Sequence, residues 1–207
     1  MGYFSVRCFY TGGLLLGIIL GSLLSLTTSA FAFADYSLTV LHVNDLHSRI
    51  LPIDKYNNTC SPSALEEGKC YGGYARLAKA LKDRQNDLNA NNQPNILLHA
   101  GDDFEGSIFF ARYRGRASVD ILNKIGFDAM AIGNHEFDGG PGVLRRFISK
   151  ANFPILGANI TPTENSVLKN KIAPYAILER NGKKIAIIGA ITEETKELSN
   201  SGEKIKF

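Results

Sequence analysis

Two hydrophobic periods alternate along most of the chain. Short apolar runs, the pattern of buried strands, lie at residues 37–43, 96–100, 129–132, 154–160 and 184–191. Segments with apolar residues three and four positions apart, the pattern of amphipathic helices, lie at residues 74–88, 119–125 and 143–151. Because strands alternate with helices, the sequence predicts an α/β fold with a mostly parallel sheet covered by helices on both faces.

Near the end of the chain the pattern changes to two adjacent β-rich segments. Asn181-Gly182 separates residues 175–178 from residues 184–188. An Asn-Gly pair favours the two-residue turn of a hairpin, because both residues readily adopt positive φ angles. We therefore predict an antiparallel hairpin in this part of the chain.

The first 34 residues differ from the rest of the chain. Arg7 is their only charged residue, and an apolar run extends from Gly12 to Leu26. Small residues then precede Asp35, as in the cleavage site of a secretory signal peptide. The alternative is an uncleaved membrane anchor, because the run approaches the roughly 18 to 20 residues that a span needs. We expect cleavage of residues 1–34, export to the periplasm or the extracellular space, and no membrane contact afterwards.

Composition and charge are those of a folded domain. Hydrophobic residues make up 44% of the 207 residues and charged residues 21%, which allows a packed core. The net charge is only +3, with 23 basic and 20 acidic residues spread along the chain. A dedicated nucleic-acid-binding module usually carries a strong basic patch, so we expect no nucleic-acid partner.

Two cysteines, Cys60 and Cys70, follow the N-terminal segment. In an exported chain, such a pair favours one disulfide that closes a short loop. The loop at residues 53–71 is rich in turn-forming residues and shows no regular pattern of its own. The alternatives are two free thiols, which an oxidising compartment disfavours, and a zinc site, for which the nearest histidines belong to other motifs.

Polar residues with ligand chemistry follow each of the first three predicted strands, at residues 44–48, 101–106 and 133–138. Ligands of α/β proteins gather at the carboxyl ends of the strands, where these loops lie. Asp45 and His47 are two residues apart, so at an extended strand end both side chains point the same way. A carboxylate and an imidazole together suit Mn, Zn or Fe.

Each loop also has a structural interpretation. Asp45 is explained equally well as a turn residue, Asp102 as a helix cap, and Asn134 as a residue in a left-handed turn. The four-residue sequence Gly-Asn-His-Glu at 133–136 is more specific than the other two motifs. Because the three motifs occur in order, each directly after a predicted strand, we favour a metal site over coincidence.

The motif series D-x-H, G-D and G-N-H-E resembles the calcineurin-like metallophosphoesterases. Longer segments resemble the N-terminal catalytic domain of the 5′-nucleotidase family: LHVNDLHSR, GGYARLAKAL, AGDDFEGSIFF, DAMAIGNHEFD and FPILGANI. The loop with two cysteines before GGYARL is closest to the ecto-5′-nucleotidase branch. The resemblance extends from about Ser37 to Gly189, and it implies a metallophosphoesterase-type sandwich of mixed, largely parallel sheets flanked by helices, here C-terminally truncated. Residues 35–207 would then be the N-terminal part of that domain.

The resemblance implies a centre with two divalent metal ions, such as Zn, Mn or Co. Asp45 and His47 match the ligands of the first ion. Asp102 matches the carboxylate that bridges both ions, and Asn134 matches a ligand of the second ion.

The same resemblance implies a catalytic pair and a substrate. His135 matches the catalytic histidine near the leaving oxygen, and Asp138 matches the acid that orients its ring. The implied substrate is a small-molecule nucleotide, a nucleoside 5′-monophosphate from which phosphate is removed.

The chain also departs from the family pattern. Members of the family supply three further histidine ligands from later loops and a second domain for the nucleoside, but no histidine follows His135 here. His42 and His99 lie inside predicted strands, where we expect them to be packing residues. We expect either the first part of a longer product or a shortened product that folds poorly. The alternative function is a catalytically incomplete remnant that binds metal weakly or acts as a non-enzymatic interaction domain.

Overall fold

The computed structural model describes the backbone of residues 2–7 and all of residues 35–207. Apart from residues 2–7, the predicted signal peptide lies outside the described residues. Within the described residues, no helix combines the length and the apolar character that a membrane span requires.

A five-stranded sheet forms the centre of the fold. Its strands lie side by side in chain order: β1 (Gly2–Arg7), β2 (Ser37–Val43), β3 (Asn95–His99), β4 (Ala129–Ala131) and β5 (Ile155–Leu156). β1 is antiparallel to β2, and all the other neighbours are parallel. Val43 pairs with His99, and His99 pairs with Met130. The carboxyl ends of β2, β3 and β4 therefore lie next to each other, and the predicted largely parallel α/β sheet is confirmed.

Helices connect the parallel strands. The described helices are α1 (Pro62–Glu66), α2 (Tyr74–Ala90), α3 (Ile108–Tyr113), α4 (Arg116–Ile125), a 3-10 helix (Asn134–Phe137), α5 (Pro141–Lys150) and α6 (Thr195–Leu198). Three of them lie at the predicted helical segments: α2 connects β2 to β3, α4 lies between β3 and β4, and α5 lies between β4 and β5. Pro141 occupies the first turn of α5, where its missing N–H costs no hydrogen bond.

The core lies between the sheet and these helices. Its most buried members come from both layers: Leu41, Leu97 and Met130 from the strands, and Leu81, Leu122 and Phe147 from the helices. Each is at most 2% exposed. Burying such a side chain contributes roughly 1.5 to 3 kcal/mol, so the core holds the sheet edge and its loops in place.

Two further strand pairs follow the sheet. β6 (Thr161–Pro162) pairs with β9 (Ile205–Lys206), and β7 (Tyr175–Arg180) forms an antiparallel hairpin with β8 (Lys183–Ile188). The predicted hairpin is confirmed at its turn, because Asn181 and Gly182 both have positive φ angles, 48° and 72°.

Two strands are shorter than the sequence predicts. Instead of residues 154–160, β5 covers only two residues, because the Asn159 side chain bonds the backbone of Ile191 at 2.8 and 3.0 Å and fixes a turn. β8 ends at Ile188 and does not extend to residue 191.

The cysteine loop is also more regular than the sequence predicts. It contains the short helix α1, which begins where the Ser61 hydroxyl accepts a hydrogen bond from the Ala64 N–H at 3.2 Å. Cys60 and Cys70 form the predicted disulfide, with their Cα atoms 6.0 Å apart.

Candidate metal centre

The loops that follow β2, β3 and β4 are hydrogen-bonded to each other at the carboxyl edge of the sheet. The N–H of Asp45 donates to the Gly101 carbonyl, and that of His47 to the Asp102 carbonyl, both at 3.1 Å. The third loop joins them where the His135 N–H donates to the Asp102 carboxylate at 3.0 Å. The three motifs found in the sequence therefore occupy one place in the fold.

Five non-glycine residues of the first two loops adopt left-handed backbone conformations. They are Asp45, His47, Ser48, Asp102 and Glu105, with φ angles of 53°, 46°, 48°, 57° and 66°. The prediction that Asp45 and His47 project from an extended strand end is therefore wrong, although their side chains do meet, because the tight turn brings them together. Each left-handed residue that is not glycine costs on the order of 1 to 3 kcal/mol, and such residues cluster at functional sites.

His47 has the hydrogen bonding of a metal ligand. Its Nδ1 lies 3.0 Å from the Phe104 carbonyl oxygen, which can only accept, so Nδ1 carries the proton. The unprotonated Nε2 lies 3.7 Å from Oδ1 of Asp45. Metal-binding histidines commonly donate one ring N–H to a carbonyl in this way, and the other nitrogen binds the ion.

His135 is held in a similar way by a carboxylate. Its Nδ1 lies 2.6 Å from Oδ2 of Asp138. Partial burial lowers the pKa of His135, but the hydrogen bond to Asp138 and the negative charges of Asp138, Asp102 and Glu136 outweigh it and raise the pKa above its usual value. The ring is therefore more easily protonated than an ordinary histidine.

One ligand atom from each of His47, Asp102 and His135 lies within 4.8 Å of the other two. The two imidazole rings meet edge to face, with centroids 4.9 Å apart. Asn134 begins the 3-10 helix beside them and is half-buried. Its φ is not positive, so the alternative of a left-handed turn residue is wrong. This donor set suits a divalent cation.

Glu136 is a residue of the centre that sequence reasoning did not assign. Its buried carboxylate accepts four backbone N–H bonds, from Gly133 at 2.7 Å, Asp102 at 2.9 Å, Asp103 at 2.7 Å and Phe104 at 3.2 Å. Burial and the charge of Asp103 raise the pKa of Glu136 to about 7, although the N–H bonds lower it. Glu136 thus joins the loop after β4 to the loop after β3. Its signal in the sequence was its place as the last residue of the Gly-Asn-His-Glu motif.

Two glycines let these loops approach closely. A Cβ at Gly133 would lie 2.2 Å from Oδ1 of Asp102, and a Cβ at Gly101 would lie 2.6 Å from the Gly133 nitrogen. No side chain fits between the loops at these positions, so the glycines set the distance between the second and third motifs.

His99 is a packing residue, as predicted. It is 1% exposed, its Nδ1 accepts a hydrogen bond from the Gly101 N–H at 3.1 Å, and its ring packs edge to face on Phe127. It supports the loop after β3 from inside the core.

The largely parallel sheet carries three loops with candidate metal ligands at its carboxyl edge, as expected for a phosphoesterase of the family that the motifs resemble. The family model described as Calcineurin-like phosphoesterase matches residues 38–199. The chain belongs to this family, and the resemblance stated from the motifs is confirmed.

Within the family, the chain is similar to 5′-nucleotidases. It is 38% identical over 193 residues to the snake venom 5′-nucleotidase of Gloydius brevicauda, covering 92% of this chain and 31% of the relative. It is 36% identical over 176 residues to the 5′-nucleotidase of Homo sapiens, and the match covers 83% of this chain and 29% of the relative. The crystal structure of a 5′-nucleotidase precursor from Thermus thermophilus superposes with a TM-score of 0.69 at 36% identity. The superposition covers 82% of this chain and 31% of that structure's chain. The chain thus spans about 30% of the length of these relatives.

Proposed function

We propose that this chain carries part of the catalytic centre of an exported phosphohydrolase that removes phosphate from nucleoside 5′-monophosphates. The proximity of His47, Asp102 and His135, with ligand atoms within 4.8 Å of each other, is the observation that carries the proposal. The names of the relatives, 5′-nucleotidases, support the substrate class.

The residues present fit a centre with two divalent ions, although the number of ions is part of the proposal. Asp45 and His47 would hold the first ion, Asp102 would bridge both, and Asn134 would hold the second. The tautomer of His47, fixed by the Phe104 carbonyl, supports this assignment because it leaves Nε2 unprotonated. Two divalent ions, when bound, polarise the phosphoryl oxygens and lower the pKa of water.

His135 would act as the proton donor. Asp138 holds its Nδ1–H at 2.6 Å and so fixes the orientation of the ring. As the bond between phosphorus and the leaving oxygen breaks, Nε2 would give its proton to that oxygen. The hydrogen bond to Asp138 supports this role, because it stabilises the protonated form of the ring.

Export is supported by the disulfide between Cys60 and Cys70, since disulfides persist mainly in oxidising compartments. We place the protein in the periplasm or the extracellular space, with residues 1–34 as its signal peptide; cleavage would remove the edge strand β1 and leave β2 to β5 as the sheet. Its partner would be the small-molecule nucleotide, and we propose no nucleic-acid partner.

The test is phosphate release from 5′-AMP by the natural full-length protein. We expect release in the presence of Mn²⁺, loss of release with EDTA, and recovery when Mn²⁺ is added in excess. 3′-AMP is the control for position on the ribose and should be a poor substrate. Release that is unchanged by EDTA would contradict the metal mechanism, and metal binding without any hydrolysis would support the non-enzymatic alternative.

Metal content tests the ligand assignment separately. Asp102→Asn should reduce the occupancy of both metal sites together, because the bridging position contacts both ions. Asp45→Asn should mainly empty one site. Asp120→Asn is the matched control, since Asp120 is an exposed carboxylate 3.8 Å from Lys150. If mass spectrometry finds two ions per chain in the Asp102 variant, the bridging assignment is wrong.

A further inference from the structure

Asp103, the residue after the proposed bridging ligand, is fully buried and bonded to several loops. Its backbone N–H donates to Glu136 at 2.7 Å, and its carbonyl accepts from the N–H and the hydroxyl of Ser48 at 2.6 and 3.0 Å. Its side chain accepts a hydrogen bond from the hydroxyl of Tyr74. Asp103 thus connects the loops after β2, β3 and β4 with the first residue of α2.

Tyr74 makes this connection rigid. It is 2% exposed, and its backbone N–H donates to the Ile50 carbonyl at 3.0 Å, so α2 is also fixed to the loop after β2. Burial and the charge of Asp103 raise the pKa of Tyr74 well above its usual value. The hydroxyl therefore remains protonated and is able to donate to Asp103.

The side chain of Asp103 is 0% exposed and lies in the core, where its Oδ1 is 3.6 Å from Nε2 of the buried His99. Its neighbour Asp102 is half-buried and adopts a left-handed conformation, with φ at 57°. Such a conformation persists only where its surroundings hold it. The bonds that Asp103 makes on the next residue supply that restraint.

We propose that Tyr74 and Asp103 are a positioning pair that holds the Asp102 carboxylate where it binds metal. The pair rests on the proposed function only in that Asp102 is a metal ligand. The hydroxyl of Tyr74 anchors Asp103 to a 17-residue helix, and Asp103 transmits this anchor to Asp102 through the backbone.

The experiment is Tyr74→Phe in the natural full-length protein, which removes the hydroxyl and keeps the packing of the ring. We expect the affinity for Mn²⁺, measured by calorimetry on folded protein, to fall at least tenfold. Tyr36→Phe is the matched control: it also removes a tyrosine hydroxyl, in this case one that donates to the Arg180 carbonyl at 3.1 Å, and it should leave the affinity unchanged.

A purely structural bond predicts a different result. In that case Tyr74→Phe would lower the melting temperature while the folded protein bound Mn²⁺ with wild-type affinity, and this result would overturn the proposal. Hydrogen exchange of the metal-free protein gives a second readout, in which the amides of residues 102–104 should exchange faster in Tyr74→Phe; unchanged exchange would also contradict the pair.

A double-mutant cycle tests the pairing itself. Tyr74→Phe combined with Asp103→Asn should lose less Mn²⁺ affinity than the sum of the two single losses, because both substitutions disrupt the same hydrogen bond. Fully additive losses would contradict the pair. If Tyr74→Phe does not fold, Asp103→Asn, which keeps the side-chain volume, carries the affinity measurement. The Mn²⁺-binding experiments contain no nucleotide, so they test the positioning pair independently of hydrolysis. A protein that binds Mn²⁺ but does not hydrolyse 5′-AMP contradicts the proposed function and leaves the positioning pair intact.

Discussion

His135 is held through one ring nitrogen, which leaves the other free for chemistry. If it donates a proton and does not hold an ion, His135→Ala should lower kcat by roughly 10² to 10⁴, the range for a positioned acid. KM and metal content should change little, because the ground-state contacts to phosphate are made mainly by the ions. Steady-state kinetics with metal analysis of the same preparation measures all three.

Asp138→Asn is the companion variant, and its loss of kcat should be smaller because Asp138 only orients the ring. A histidine that merely stabilises the turn after β4 predicts another pattern. The melting temperature would fall, and kcat per folded molecule would be preserved. Loss of a metal ion from His135→Ala would instead identify the ring as a ligand.

Glu136 is an acceptor that an amide cannot replace. In Glu136→Gln, the new NH₂ group faces backbone N–H donors, such as those of Gly133 and Asp102. An unsatisfied buried donor costs about 1 to 3 kcal/mol, so the free energy of unfolding should fall by at least that amount. Urea denaturation gives the value. Glu164→Gln, at an exposed glutamate paired with Lys169, is the control and should change stability by less than about 0.5 kcal/mol.

The charge of Glu136 should also appear in the pH dependence of stability. Its pKa is raised from 4.5 to about 7 on folding, so the folded state holds the proton more tightly than the unfolded state. The stabilisation of the folded state by protonated Glu136 is complete below about pH 4.5 and is lost as the pH rises through about 7. The free energy of unfolding of the metal-free protein should therefore decrease between about pH 5 and pH 8. In Glu136→Gln the decrease should be shallower, and an unchanged slope would show that the carboxyl group does not titrate there.

At the scale of the elements, Gly133 sets how closely the loops after β3 and β4 approach. Its φ of −98° suits any residue, so Gly133→Ala tests crowding alone. The added Cβ would lie 2.2 Å from the Asp102 carboxylate, which must move. We expect a loss of about 1 to 3 kcal/mol in stability and weaker Mn²⁺ binding, measured by denaturation and calorimetry.

Gly142→Ala is the matched control, because its Cβ would meet only the end of the Arg146 side chain, at 3.9 Å. Since alanine has the higher helix propensity, this control should leave stability unchanged or raise it. Equal losses in the two variants would show that contact between the loops is not the cause.

The strands and helices could be predicted because their hydrophobic periods are local. Helices α2, α4 and α5 and the Asn181-Gly182 hairpin are present as the sequence indicates. The short β5 was not predictable, because the turn that ends it depends on Ile191, a residue 32 positions from Asn159.

The position of the three motifs at one edge of the sheet was predictable, whereas the contacts that support them were not. Asp45, Asp102 and His135 each follow one of three neighbouring parallel strands. Because the carboxyl ends of these strands lie together, the three residues lie at one edge of the sheet. The left-handed turns and the roles of Glu136 and Asp103 depend on contacts between loops, and no spacing along the chain encodes them.

For the molecule as a whole, the disulfide fixes the segment between β2 and α2. Cys60→Ser with Cys70→Ser should lower the free energy of unfolding by roughly 2 to 4 kcal/mol, because the unfolded chain regains the freedom of the loop. Urea denaturation measures the loss, and wild-type protein under reducing conditions should match the variant. Peptide mapping without reductant should find the two cysteines linked, whereas free thiols in the exported protein would contradict both the bond and the proposed compartment.

The bonds that assemble the centre join residues that are far apart in the chain. Tyr74 and Asp103 are 29 residues apart, Asp102 and Glu136 are 34 apart, and Ser48 and Asp103 are 55 apart. Contacts of such long sequence separation form slowly, since the loops between them must close first. Until the loop after β4 is in place, Glu136 cannot accept from the backbone of the loop after β3. We therefore expect the candidate metal centre to assemble late in folding, after β4 has joined the sheet.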